Sequence, residues 1–199
     1  MIPSRRLAVA ALALAGCASA PPLHYYTLVA PAAEAPAVAA PGALQFELLP
    51  VGVPAEVDRP QLVVRRGAQG VQVLDGERWA APLADEARAA LSADLSRELN
   101  ARDASGLPDG GKPRLRIKVD LRRFESVPGG YALIEASWAV RSLQGGAGVA
   151  CSSAIRQQVG PGYDALVKGH QQALRRLAAQ IAAAARAVAA QGAPTCPPR

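Results

Sequence analysis

Three cysteines and two histidines set the covalent chemistry open to this chain. Cys17 closes a run of small apolar residues, Leu12-Ala13-Leu14-Ala15-Gly16, only seventeen residues from the start. Cys151 and Cys196 form the one remaining pair able to bridge, and the alternative is a buried apolar thiol and a loose one in a Pro-rich tail. His24 falls in a strand-like stretch. His170 lies on an apolar helical stripe, where a lone histidine more often packs than reacts, although it offers a base to Cys151 or to a serine. No His/Cys cluster has zinc spacing and no G-x-S-x-G elbow exists. Gly145-Gly146-Ala147-Gly148 lacks the Lys-Ser/Thr of a phosphate cradle. Neither a cofactor, a metal nor a catalytic residue is expected.

The setting of Cys17 gives it a specific reading. Arg5 and Arg6 precede ten uncharged residues, Leu7 to Gly16, which is half of the roughly 20 needed to span a bilayer. A basic start, a short apolar run and small residues at the break are the parts of a signal peptide, here residues 1–16. Leu14-Ala15-Gly16-Cys17 resembles the lipobox of bacterial lipoproteins, so Cys17 is the expected lipidation site and first mature residue. One acyl chain binds membranes marginally, at about 0.8 kcal/mol per buried methylene, and several on one cysteine hold firmly. Ala18, where inner-membrane lipoproteins commonly carry Asp, favours the periplasmic face of the outer membrane.

Removing residues 1–16 leaves 183 residues, enough for one domain with a real core. Their charge is 20 Lys+Arg against 16 Asp+Glu, a net +4. That suits anionic headgroups or an acidic protein surface and falls short of the dense clustering of a nucleic-acid binder.

The elements that position these residues follow from periodicity. Residues 17–23 are a lipidated tether, 24–191 a single folded body, 31–43 an Ala/Pro-rich loop within it, and 192–199 a tail. His24 to Val29, Leu44 to Leu48, Gln61 to Arg65 and Val71 to Leu74 read as strands, the last closed by the turn pair Asp75-Gly76. Pro82 opens a helix with Asp85 and Glu86 in its first turn. Leu83, Ala87, Leu91, Leu95 and Leu99 form its stripe to about Asn100. Strands at 114–124, 131–143 and 149–159 should form an antiparallel meander. A helix from Tyr163 to about Ala190 buries Leu166, His170, Leu174, Leu177, Ile181, Ala184 and Val188, with Gly169 a weak spot of about 1 kcal/mol. The expected class is α+β, an antiparallel sheet with two amphipathic helices on one face.

In the strand at 114–124, Leu115, Ile117, Val119 and Leu121 point one way. Arg114, Arg116, Lys118, Asp120 and Arg122 point the other. Arg114, Arg116, Lys118 and Arg122 are therefore the candidate surface for lipid headgroups or an acidic partner, a solvated face being the plainer alternative. Trp79 reads as a core anchor before the first helix, and Asp58-Arg59 as residues that order the turn before Pro60.

The order of short segments resembles a known family. Tyr25-Tyr26-Thr27-Leu28 follows the lipobox closely; then come Val53-Pro54, Asp58-Arg59-Pro60-Gln61-Leu62-Val63 and Arg78-Trp79-Ala80-Ala81-Pro82-Leu83. The strand at 116–124 and Gly162-Tyr163-Asp164-Ala165-Leu166-Val167 complete the series. Together they resemble the PqiC/YmbA-like lipoproteins, auxiliary components of ABC-type transport systems, over nearly the whole mature chain. Glu56-Val57 departs from the aromatic and leucine that often precede Asp-Arg-Pro there. The resemblance implies a non-catalytic outer-membrane lipoprotein working with an MCE-domain protein that carries lipids or other hydrophobic molecules across the periplasm, with self-association into a ring. The alternatives are a pilot lipoprotein for an outer-membrane complex and a lipid-anchored hydrolase using His170. Seven residues, Ala18 to His24, reach about 25 Å when extended, so the body should ride close to the membrane.

Overall fold

Alternation and helical spacing resolve into eight strands and two helices among the residues described by a computed structural model: 22–31, 44–108, 111–146 and 148–198. The signal peptide, Cys17 with most of its tether, and the greater part of the Ala/Pro-rich loop lie outside them. The strands are β1 His24–Tyr26, β2 Gln45–Leu48, β3 Gln61–Arg66, β4 Gly70–Trp79, β5 Arg102–Asp103, β6 Arg114–Val127, β7 Tyr131–Ser142 and β8 Val149–Gln158. The helices are α1 Leu83–Leu99 and α2 Tyr163–Ala189. The fold is α+β.

Two sheets form, β1-β4-β3 and β5-β2-β6-β7-β8. The meander β6-β7-β8 is antiparallel, as its short Gly-containing turns require. The sheets as wholes are mixed, which corrects the expectation of a purely antiparallel one: β2 runs parallel to β6 and β5, and β1 parallel to β4. Between β2 and β6 the chain makes β3, β4, α1 and β5, a connection long enough for a parallel return. A second correction concerns Asp75-Gly76. The chain reverses at Gly67, whose φ of 65° is the left-handed conformation a tight turn needs, and β4 continues to Trp79 with Asp75-Gly76 inside a bulge between Val73, paired with Val63, and Arg78, paired with Gln61.

α2 lies along β7 and β8, and α1 packs on α2. Every residue of the α2 stripe is buried, and Leu174 and Leu177 are wholly so, each stabilising by about 1.5–3 kcal/mol. Leu83, Ala87, Leu91 and Leu95 are buried from α1, which ends on Asn100 at φ 47°, a left-handed cap that asparagine tolerates. In the first turn of α1 the Glu86 carboxylate accepts bonds from the Thr27 hydroxyl at 2.7 Å and the Leu28 amide at 2.8 Å. That clamp fixes where the chain leaves β1.

Candidate partner-facing surface

β6 is the strand on which the candidate surface was expected, and its residues divide between outward and inward positions. Leu115, Ile117, Val119 and Leu121 are buried, so Arg116, Lys118 and Asp120 face away from the helices. Pairing sets these beside the outward residues of β7 and β8: Arg116 beside Arg141, Lys118 beside Ala139 and Ala150, Asp120 beside Ser137 and Ser152. Alanine and serine make a low floor, and the long side chains of β6 and Arg141 stand around it. Two adjoining depressions result, of about 480 and 350 Å³, both lined by Lys118, Ala139 and Ala150; the larger adds Leu49, Arg116 and Arg141.

Charge on this face is partly compensated. Arg116 Nε donates to Glu47 at 2.8 Å, and Lys118 Nζ lies 3.3 Å from Asp120. Arg141 is exposed and has no carboxylate partner among the described residues. No local spacing marks it in the sequence; the pairing with Arg116 brings it to the site.

Arg114 and Arg122 depart from the expected row. Arg114 is 8 % exposed, and its guanidinium donates to the carbonyls of Leu107 and Pro108 and to Gln45 Oε1, strapping the loop before β6. It is an internal hydrogen-bonding group, not a docking residue. Leu121 and Arg123 pair with the consecutive residues Ala136 and Glu135, leaving Arg122 as the extra residue of a bulge, out of the row that Arg116 and Lys118 continue.

Beyond the bulge lies a cluster that sequence reasoning missed. Glu125 accepts from Arg65 and Arg123, each at 2.8 Å, and from the Tyr131 hydroxyl; Arg123 also reaches Glu135, and Arg156 sits 3.5 Å over the Tyr131 ring. Burial raises the Glu125 pKa, but the hydrogen bonds from Tyr131, Arg65 and Arg123 outweigh it and bring it to about 2. The residues come from β3, β6, β7 and β8, so no local spacing announces them.

Two of the short segments that carry the resemblance meet in space. Gln61 pairs with Arg78, and the Trp79 amide donates to the Pro60 carbonyl at 2.8 Å. Between them is a depression of about 400 Å³ walled by Asp58, Arg59, Pro60, Ala80, Ala81 and Pro82, with Trp79 beneath. Trp79 is 5 % exposed and packs edge-on against Phe124, as a core anchor should.

His170 is fully buried, stacked on Phe124 with ring centres 3.9 Å apart and bonded through Nε2 to Ser126 Oγ at 2.8 Å. Burial drives its pKa down to about 3. Cys151 is joined to Cys196 with their Cα atoms 5.5 Å apart, which ties the tail after α2 to β8. Among the described residues no group of three or more His, Cys, Asp or Glu is placed to hold a metal.

The molecule is thus an α+β body with an exposed, basic-edged sheet face. Residues 26–182 match the family model of the ABC-type transport auxiliary lipoprotein component, and the chain belongs to that family. No curated protein matches the chain. Among solved structures, an uncharacterized protein superposes with a TM-score of 0.64 at 21 % identity, covering 81 % of this chain and 97 % of the other. A DUF330 protein from Xanthomonas campestris gives 0.59 at 19 %, covering 79 % and 92 %. Both show the fold.

Proposed function

We propose that this protein is a non-catalytic auxiliary component of an intermembrane transport system. In this reading it is anchored by lipid on Cys17 in the periplasmic face of the outer membrane, and it receives the end of an MCE-domain protein on the outer face of β6-β7-β8. The observation that carries the docking site is that sheet face: no element of the described fold covers it, and Arg116, Lys118 and Arg141 stand around an Ala/Ser floor. Such a surface suits an acidic partner, because charge at the rim steers encounter while the apolar floor supplies contact. Association of several copies, as the resemblance implies, belongs to the same proposal. A hydrolase is disfavoured by the burial of His170 against Phe124 and by the engagement of Cys151 with Cys196.

The test is capture of the MCE-domain protein encoded nearest to this gene by the lipidated protein in detergent. Lys118→Glu/Arg141→Glu is expected to weaken capture by at least about tenfold and to flatten its salt dependence. Unchanged capture by that variant removes the docking face. No capture by the wild type, with intact mass confirming lipid on Cys17, removes the transport partner and returns the pilot reading.

A further inference from the structure

β1 is the edge strand of the three-stranded sheet, paired on one side only, with β4. Its two faces differ in their partners, although His24 is exposed as well. His24 and Tyr26 turn toward Glu77, at 3.1 and 2.7 Å. The residues of opposite parity, Leu23 and Tyr25, are 47 % and 61 % exposed. A Cβ built on Gly76 would lie 3.5 Å from the Pro22 carbonyl oxygen, so the chain still runs beside β4 there and the alternation extends back to Leu23. Tyr25 stands beside Arg78 in the pairing, with Gln61 next in the same row. The Arg78 guanidinium donates at 3.3 Å to the Asp75 carbonyl and has no carboxylate partner among the described residues. A leucine, a tyrosine and an arginine thus share an outward face at the point where the chain enters the fold.

Length decides what that face meets. From Cys17 to Leu23 there are six peptide units, which span at most about 20 Å. If Cys17 carries acyl chains, an assumption shared with the proposed function, Leu23 stays within about 20 Å of the anchor and so within reach of the headgroups. Tyrosine is suited to that layer, its ring apolar and its hydroxyl wet, and an arginine stem can lie along apolar surface while its head meets phosphate. Asp58 and Asp75 are exposed nearby, so bulk charge attraction is not the source of the contact.

We propose that Leu23, Tyr25 and Arg78 form a membrane-seating surface. Leu23 and Tyr25 enter the headgroup layer of the phospholipid bilayer that holds Cys17, and Arg78 bonds to lipid phosphate. The body then has one fixed orientation instead of swinging on its tether.

The experiment places a tryptophan on the face in the full lipidated chain, reconstituted in phosphatidylcholine vesicles with and without bromine on the acyl chains near the headgroup. Trp79 and Trp138 are both buried and give the background, read from the parent protein. Tyr25→Trp should be quenched several-fold more than Val71→Trp, which is 63 % exposed and, paired with Arg65 where Arg78 pairs with Gln61, lies roughly 13 Å further along the sheet. Adding Leu23→Asp to Tyr25→Trp should abolish the difference, and 0.5 M salt should leave it. Equal quenching at the two positions, or none at Tyr25→Trp, overturns the proposal. Intact mass of the same samples reads the lipid on Cys17 separately. Should it be absent, an N-terminal hexahistidine ahead of residue 18 on nickel-chelating lipid supplies the anchor, and the same quenching comparison decides.

Discussion

His170 Nε2 and Ser126 Oγ are 2.8 Å apart in the closed interior between α2 and β6, with the imidazole stacked on Phe124. The pair has the composition of a nucleophile and its base but the surroundings of a core. His170 is wholly buried and Ser126 is 6 % exposed. Nδ1 has no hydrogen-bond partner, so no carboxylate orients the ring.

That burial makes the protein sensitive to acid through one residue. The folded-state pKa of His170, about 3, lies below its ordinary 6.5, so the unfolded chain takes up the proton first. The contribution is fully present above pH 6.5 and is lost as pH falls toward 3, at up to about 1.4 kcal/mol per pH unit. Urea unfolding at pH 7 and pH 5 should show the wild type losing roughly 2 kcal/mol more than His170→Leu. An equal loss would remove His170 as the group responsible.

Glu125 acts in a lower window. Its folded pKa of about 2 lies below the ordinary 4.5, so its contribution is present above pH 4.5 and disappears as pH falls through 2. Glu125→Gln keeps the shape and leaves Arg65 without its carboxylate, while Arg123 retains Glu135. We expect it to cost about 1–2 kcal/mol at pH 7, discounted for the solvent that reaches the arginines, with little further loss at pH 3. Thermal unfolding at both pH values checks this.

Gly169 looks replaceable in sequence, since alanine is the better helix former by about 1 kcal/mol. In the structure a Cβ there would lie 2.3 Å from Val159 Cγ1 and 3.1 Å from Ala132 Cβ, so the glycine lets α2 approach the sheet. Overpacking of this kind costs about 1–3 kcal/mol, so Gly169→Ala should destabilise on balance. Val159→Ala in the same chain should recover much of the loss, measured by urea midpoint. A more stable Gly169→Ala would mean that the helix stands off the sheet.

The Cys151–Cys196 bridge closes a separation of 45 residues, for which the chain-entropy model gives about 4 kcal/mol as an upper figure. We expect the exported protein to be oxidised. Thiol labelling of the native sample should find neither sulfur free, and Cys196→Ser should lower the unfolding midpoint and remove its response to reductant. Two reactive thiols in the oxidised sample would contradict it.

The strands and helices were legible where one face of an element is buried along its length. Such burial writes a period of two or about 3.6 into the sequence, and so β6, α1 and α2 were found nearly to their ends. Local periodicity fails where the backbone departs from regularity. The bulge at Arg122 ended the alternation, and the two-residue β5 was too short to register. Asp75-Gly76 has turn chemistry that is spent on a bulge in β4, which resumes its pairing with β3 at Arg78 and lies beside β1 from Glu77.

The sequence by itself determined the family, the α+β class, the Cys17 motif with the length of its tether, and the apolar faces. All of these reside in consecutive residues or fixed spacings. The tertiary structure alone decided that Arg141 joins Arg116, that Arg114 turns inward, that Ser126 meets His170, and that Leu23 and Tyr25 share a face with Arg78. Each of those relationships joins residues through strand pairing or helix packing across dozens of positions, and no local rule fixes which strand lies beside which.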